Sequence, residues 1–139
     1  MPNNSGPNNP GPGAPATATQ MAREVAEQPA ALRRTLDALL PLRPEIAALA
    51  RGRRRLLLVA RGSSDNAAIY GRYLAEVHAG VAGALAAPSV ATMYAARLDL
   101  SDTVTVCVSQ SGSTQEIVET LEWAKGCGAA TVAVFVEPR

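Results

Sequence analysis

The sequence predicts an α/β domain in three layers, with a doubly wound, flavodoxin-like parallel sheet of about four strands preceded by N-terminal helices. Short apolar runs that suit strands alternate with longer segments whose apolar residues recur at helical spacing. Strands that alternate with helices form a parallel sheet covered on both faces. The 139-residue chain has room for one such domain and excludes a second large one.

The leading segment differs in composition from the rest. Residues 1–20 hold five of the ten prolines, four asparagines and no charged side chain, and we expect a disordered tail there. The domain itself is expected over residues 21–139, with N-terminal helices in 21–52 and the sheet core in 53–137. In the helical part, apolar residues recur at steps of three, four and seven from Val25, and a second short helix carries Ile46 and Leu49.

The first half of the sheet core contains two predicted strands. Leu56–Ala60 is a continuous apolar run with charge before it and a Gly-Ser turn after it, typical of a strand buried on both faces. A helix follows, with one apolar face from Tyr70 to Val81. The weaker apolar stretch from Leu85 to Val90 is predicted as the second strand.

The second half repeats this unit. Val104–Val108 is the clearest strand of the sequence, and the helix after it keeps apolar residues at helical spacing until Gly126. Thr131–Val136 is a β-branched run predicted as the fourth strand. We expect the sheet to be truncated there, because no further helix follows.

Composition excludes several classes of protein. Hydrophobic residues make up 47% and charged residues 18%, and the formal net charge of +1 argues against nucleic acid as a partner. No apolar stretch is long enough to cross a membrane and no signal peptide is recognisable, so we expect a cytoplasmic protein without a membrane partner. The basic cluster at Arg51 and Arg53–Arg55 is interpreted as a solvated loop that leads into the first strand.

Residues with catalytic chemistry are few. Cys107 lies within an apolar run and is expected in the core, whereas Cys127 lies between two glycines. The single histidine, His78, has no second ligand at metal-binding spacing, so no metal site is expected. His78 and Glu76 lie well past the first turn of their helix and are interpreted as surface residues. The Gly-x-Ser-x-Gly elbow of a hydrolase is missing.

Two similar loops carry the functional signal. Arg61–Asn66 follows the first strand and Ser109–Thr114 follows the third, and each opens a helix. In the strand order 2-1-3-4 both loops face one crevice at the carboxyl edge of the sheet. Hydroxyls, glycines and helix N-terminal amides there favour a phosphate group, and Gln110 suits the hydroxyls of a sugar.

Helix capping is the alternative explanation for these serines. Ser113 and Glu116 have capping-box spacing, and Ser64 is an ordinary residue for a helix start. The clustering of hydroxyls in both loops exceeds what capping requires and favours a ligand. Neither the Gly-x-Gly-x-x-Gly of dinucleotide-binding proteins nor a P-loop occurs in these loops.

The residues from Met21 to Val136 resemble the sugar isomerase (SIS) domain family. The resemblance is greatest to the isomerase half of glucosamine-6-phosphate synthase and its shorter relatives without a glutaminase domain. It is carried by Glu24–Pro29, by Ala60–Asn66 and, most specifically, by Ser109–Thr114.

This resemblance implies a site for a hexose 6-phosphate, such as fructose 6-phosphate or glucosamine 6-phosphate, without a cofactor. The phosphate is expected mainly at Ser109, Ser111 and Thr114. The expected binding and loop-shaping residues together are Gly62, Ser63, Ser64, Ser109, Gln110, Ser111, Gly112 and Thr114. The chain would then be the first half of an aldose-ketose isomerase, aminotransferase or deaminase.

The sequence also departs from the family. Arg61 stands where the synthase has a small residue, and it either adds a charge to the site or points to solvent. Ser113 replaces an acidic residue. The glutamate, histidine and lysine that perform the acid-base and imine chemistry belong to the family's second domain, so no catalytic residue is assigned here and the chain is expected to bind without turnover.

Two alternatives remain at this stage. Sugar isomerase domains also serve as sugar-phosphate sensors in transcription regulators, although an uncharged tail replaces their basic helix-turn-helix domain here. A doubly wound domain with serine caps alone is the other. An open sheet edge further predicts a homodimer.

Overall fold

The computed structural model describes residues 19–135 and contains one four-stranded parallel sheet. Its strands are β1 Arg55–Val59, β2 Ala82–Leu85, β3 Thr103–Ser109 and β4 Ala130–Phe135. They lie in the order β2-β1-β3-β4, and all three pairings are parallel. The predicted fold class and strand order are therefore confirmed.

Residues 19–135 also contain five α-helices. They are α1 Gln20–Leu39, α2 Arg43–Ala50, α3 Ser64–Leu74, α4 Pro88–Thr92 and α5 Gln115–Gly126. The chain divides into two compact units at Leu42, so α1 and the 3-10 turn after it form one unit and the remaining elements form the other. The expected tail lies outside the described residues, apart from Thr19 and Gln20 at the start of α1.

The core lies on both faces of the sheet. Leu58 of β1 packs with Ala68 of α3 on one face, and Val59 packs with Cys107 and Ile117 on the other. Neighbouring strand residues point to opposite faces, so α3 and α5 cover opposite sides of the sheet. This arrangement is the predicted three-layer structure, and it confirms Cys107 as a core residue.

The second strand was predicted in the wrong place. β2 is Ala82–Leu85, whereas the predicted stretch Leu85–Val90 enters helix α4 at Pro88. Proline lacks a backbone N–H and suits the first turn of a helix rather than a paired strand. The small residues of β2 have little strand propensity of their own and are extended because they pair with β1.

The helix before β2 also ends earlier than predicted. After α3 the chain continues through a π-helical turn, Ala75–Ala79, and Gly80 then takes a left-handed conformation with φ of +63°. Val81 is therefore not on the helix. The predicted apolar face is exposed at Tyr70 and Tyr73, because α3 packs on the sheet through small residues such as Ala68.

The arginine cluster at the amino edge of the sheet leads into β1 as predicted, with Arg51, Arg54 and Arg55 exposed, and two of its members also make structural contacts. Nη1 of Arg53 donates to the carbonyl oxygens of Ser101 at 2.6 Å, Thr103 at 3.3 Å and Gly128 at 3.3 Å. Arg55 pairs with the carboxylate of Asp102. Because these contacts join three segments that are distant in sequence, they hold together the loops at this edge.

None of the helices within residues 19–135 has the length and apolar character needed to cross a lipid bilayer.

Candidate sugar-phosphate site

The two predicted loops lie side by side at the carboxyl edge of the sheet. In the structure these loops are shorter than predicted, because α3 already begins at Ser64 and β3 extends to Ser109. We call residues 60–63 the first loop and residues 110–114 the second loop. β1 and β3 are parallel neighbours with Val59 opposite Cys107, so both loops leave the sheet at the same edge. Between them lies a cavity of about 170 Å³.

Most of the predicted binding residues line this cavity. Its walls are formed by Arg61, Ser63, Ser64, Val108, Ser109, Gln110, Ser111, Thr114 and Ile117. The structure thus brings together all six predicted residues that have polar side chains. The two predicted glycines, Gly62 and Gly112, do not line the cavity but shape the loops around it.

Gly112 is required by both conformation and space. Its φ is +66°, in the left-handed region that a side chain disfavours. A Cβ atom there would also lie 3.2 Å from the ring of Phe135, at the end of β4. Phe135 at the end of the fourth strand therefore packs close against the second loop at Gly112. Gly62 has a similar φ of +64°, but the space around it is open.

The helices that start at these loops have no side-chain caps. Ser63 is the N-cap residue of α3 and Thr114 that of α5, and neither side chain bonds to a helix amide. The capping box that the spacing of Ser113 and Glu116 offered as the alternative explanation is therefore not formed. Ser113 precedes the cap position, and Glu116 bonds to Arg61 instead of the backbone.

Serine side chains hold the second loop in shape. Oγ of Ser109 accepts a hydrogen bond from the backbone N–H of Gly112 at 3.1 Å. Oγ of Ser111 accepts from the backbone N–H and the hydroxyl of Ser113, at 3.3 and 3.1 Å. As acceptors, Ser109 and Ser111 keep their own hydroxyl hydrogens, which remain available to a ligand that accepts hydrogen bonds.

Other donors at the site have no partner among the described residues. These are the hydroxyls of Ser63, Ser64 and Thr114 and the side-chain amide of Gln110. The first N–H groups of an α-helix also lack intrahelical acceptors, and they give the start of α5 a partial positive charge. The cavity therefore presents many hydrogen-bond donors to an anion with several oxygen atoms.

Arg61 joins the first loop to the start of α5 through a contact that the local sequence pattern does not reveal. Its Nε and Nη2 donate to the two carboxylate oxygens of Glu116, each at 2.9 Å. This hydrogen bonding lowers the pKa of the Glu116 carboxyl group and raises that of Arg61. Arg61 thus both lines the cavity and pairs with an acid, whereas the sequence left its placement open.

Acid-base groups are scarce at the site. Among the described residues, Arg61 is the only ionisable side chain that lines the cavity. Glu76 accepts from the backbone N–H of Gly83, and His78 is exposed in the π-helical turn, so both fit the predicted surface role. Burial raises the pKa of the Cys107 thiol. Within residues 19–135 no cluster of three His, Cys, Asp or Glu side chains could hold a metal ion.

A larger cleft of about 300 Å³ lies between α5 and β4, on the other side of the second loop. Its lining includes Leu121, Val134 and Phe135. Apolar walls of this kind suit a hydrocarbon surface. The polar cavity between the loops is the better match for a phosphate and a sugar.

Three comparisons with known proteins agree on the kind of domain. The chain is 35% identical over 116 residues to the curated glutamine–fructose-6-phosphate aminotransferase (isomerizing) of Aeropyrum pernix. The match covers 82% of this chain and 19% of that protein. A solved protein of Silicibacter pomeroyi assigned as a phosphosugar isomerase is 39% identical, with a TM-score of 0.77 over 81% of this chain and 35% of its own.

The third comparison is with the solved C-terminal domain of glucosamine–fructose-6-phosphate aminotransferase from Francisella tularensis. It is 26% identical with a TM-score of 0.72, and the match covers 91% of this chain and 38% of that domain. No protein-family profile matches the chain.

The chain spans about a fifth of the curated relative from Aeropyrum pernix, with 19% of that protein covered. The matched part has the same four-stranded parallel sheet with flanking helices. With this fold and this level of identity, the chain belongs to the sugar isomerase (SIS) domain family and is related to the isomerase domain of glutamine–fructose-6-phosphate aminotransferase.

Proposed function

We propose that the cavity between the two loops binds a hexose or amino-sugar 6-phosphate, such as fructose 6-phosphate or glucosamine 6-phosphate. The phosphate group would accept hydrogen bonds from Ser109, Ser111 and Thr114 and from the first amides of α5. Ser63, Ser64 and Gln110 would bind the hydroxyls of the sugar. Gly62 and Gly112 would shape the loops.

One observation carries this proposal. The hydroxyls at the two helix starts make no capping bonds, although capping is the usual reason for Ser and Thr at such positions. An anion at a helix N-terminus takes the place of such caps, because it accepts from the same free N–H groups and is favoured by the helix dipole. The names of the relatives, which include phosphosugar isomerases, agree with this ligand class.

We further propose that the chain is the sugar-binding half of a longer isomerase, aminotransferase or deaminase. Such an enzyme would open the sugar ring and transfer protons between C1 and C2 by general acid-base catalysis. Two observations support the proposal that this chain binds the sugar and that another part of the enzyme supplies the acid-base groups. No carboxylate, imidazole or amine among the described residues lines the cavity, and the match covers only 35% of the Silicibacter pomeroyi protein.

The same lack of an acid or base fits a second function, a non-catalytic sensor of sugar phosphates. The two functions share the cavity and differ in what acts on the bound sugar. An exchange assay separates binding from catalysis: the chain is incubated with fructose 6-phosphate in D₂O, and deuterium at C1 is followed by NMR. We expect no exchange by this chain alone. Exchange above the rate without protein would show that it carries an acid-base group of its own.

Calorimetric titration of the full chain tests the binding proposal. We expect fructose 6-phosphate or glucosamine 6-phosphate to bind, and fructose without phosphate to bind far more weakly. Ser111→Ala removes a hydroxyl bond to a charged group and should lower the affinity on the order of tenfold to a hundredfold. Ser89→Ala in α4 is the matched control and should leave the affinity unchanged. Absence of sugar-phosphate binding by the native chain would contradict the proposal.

A further inference from the structure

The contact between Arg61 and Glu116 crosses the candidate site. The two residues are 55 positions apart, and their two hydrogen bonds are the side-chain contact that joins the first loop to α5. The geometry is two-pronged, with both carboxylate oxygens engaged by one guanidinium group. The pair is partly open to solvent, since 54% of the Arg61 side chain and 35% of the Glu116 side chain are exposed.

The negative charge of the carboxylates beside the cavity would repel the proposed phosphate ligand. Glu116 lies in the first turn of α5, where a phosphate would use the free amides. Asp65, in the first turn of α3, interacts electrostatically with Arg61 as well. Two carboxylates and one guanidinium group therefore lie close together beside the cavity, and of these only the guanidinium group of Arg61 lines it. A dianionic phosphate would be repelled by these acids if Arg61 did not offset them.

We propose that Arg61 is a positioning residue that masks the charge of Glu116, so that the start of α5 accepts a phosphate group. This inference rests on the proposed function. In this role Arg61 acts through Glu116 and does not itself bind the phosphate.

The hydrogen bonds of Arg61 favour this role over direct contact. Nε and Nη2, one edge of the guanidinium group, both donate to Glu116. A two-pronged grip on a phosphate by the same edge would require Arg61 to leave Glu116 unpaired beside the ligand. The donors needed for the phosphate are already supplied by the hydroxyls and amides of the second loop.

A double-mutant cycle on the full chain tests the inference, with inorganic phosphate and glucosamine 6-phosphate as probes in calorimetry at low salt. Arg61→Met leaves Glu116 unmasked, so affinity should fall on the order of tenfold. Glu116→Gln should leave affinity unchanged or raise it. Adding Glu116→Gln to Arg61→Met should restore affinity to within about threefold of the native chain, because the repelling charge is gone.

Two control variants separate this local effect from a general effect of charge. Glu119→Gln removes the same charge one turn further along α5, where Glu119 accepts a hydrogen bond from Gln115. Arg54→Met removes a positive charge at the opposite edge of the sheet. Neither should rescue or mimic the loss caused by Arg61→Met. Circular dichroism and thermal unfolding of each variant establish that a lost affinity is not lost folding.

The calorimetric results distinguish failure of this inference from failure of the proposed function. If the double variant binds as weakly as Arg61→Met, Arg61 contacts the phosphate directly and the inference is wrong. If Arg61→Met binds like the native chain, the ion pair has no role in binding and the inference is also wrong. In both cases the proposed function stands, because the native chain still binds. If the native chain binds neither probe, the proposed function fails and this inference fails with it.

Discussion

The two edges of the sheet use polar side chains in opposite ways. At the amino edge, Arg53 donates to the carbonyl oxygens of Ser101, Thr103 and Gly128, and Arg55 binds the carboxylate of Asp102. At the carboxyl edge, the N-cap residues Ser63 and Thr114 leave both helix starts without a side-chain bond. Arg53 and Asp102 at the first edge are hydrogen-bonded within the chain, whereas the hydroxyls of Ser63 and Thr114 at the second edge have no partner among the described residues.

We infer from this difference that the polar groups of the amino edge stabilise the domain, whereas those of the carboxyl edge bind the ligand. At the amino edge, removal of a charged donor leaves the carbonyl oxygens that it serves without that partner. A cluster of unpaired hydroxyls contributes little to stability and is suited to a ligand. The comparison makes four predictions, which run from the largest expected effect to the smallest.

Arg53→Met should cause the largest loss of stability, about 2–3 kcal/mol, because several carbonyl oxygens lose a charged donor together. Urea unfolding followed by the fluorescence of Trp123, the single tryptophan, measures it. Arg54→Met is the control and should cost less than about 0.5 kcal/mol. Sugar-phosphate affinity of folded Arg53→Met should stay within about twofold of native, and a parallel loss of affinity would break the comparison between the edges.

Gly112→Ala should cost about 1–2 kcal/mol and should also weaken sugar-phosphate binding more than tenfold, because the second loop must move. The added methyl group meets an unfavourable φ and the ring of Phe135. Gly62→Ala is a matched control for stability, since its φ is similar and its surroundings are open. Equal destabilisation by the two changes would mean that contact with Phe135 is unimportant.

Thr114→Ala should change the free energy of unfolding by less than about 0.5 kcal/mol, because the hydroxyl makes no capping bond. Thr19→Ala is the control, because the Thr19 hydroxyl does cap its helix. That hydroxyl accepts a hydrogen bond from the backbone N–H of Ala22 at 3.2 Å, and removing it should cost about 1 kcal/mol in a measurement that follows α1. Calorimetry should then find that Thr114→Ala lowers sugar-phosphate affinity several-fold. A Thr114 variant that loses stability but not affinity would return this residue to a capping role.

Acid should weaken the amino edge slightly. The hydrogen bond from Arg55 lowers the pKa of Asp102, and bonds from Ser101 lower that of Asp99. A group with a lowered native pKa adds stability that is complete above its unfolded pKa of about 3.9 and is lost as pH falls through the native pKa. We therefore expect that, when urea-unfolding midpoints are measured from pH 6 downward, the midpoint of Asp102→Asn falls less steeply below about pH 4 than that of the native chain. An identical slope in the native chain would contradict this linkage.

Local patterns predicted the strands β1, β3 and β4 and the position of the two loops. They failed at β2, where Ala-Gly-Ala-Leu has no strand pattern and pairing with β1 decides the conformation. They also failed for Arg61 and Arg53, whose partners lie 55 and 75 positions away at Glu116 and Gly128. Such pairs exist only once the chain has folded, so periodicity and spacing cannot reveal them.

The packing of Phe135 against Gly112 has a consequence for synthesis of the protein on the ribosome. Helices and the first three strands can form as the chain emerges, but the second loop lacks its support until a residue 23 positions further along has left the exit tunnel and joined the sheet. Parallel pairing of this kind is slow to form because distant segments must meet. A nascent chain should therefore form its first three strands before it gains affinity for a sugar phosphate.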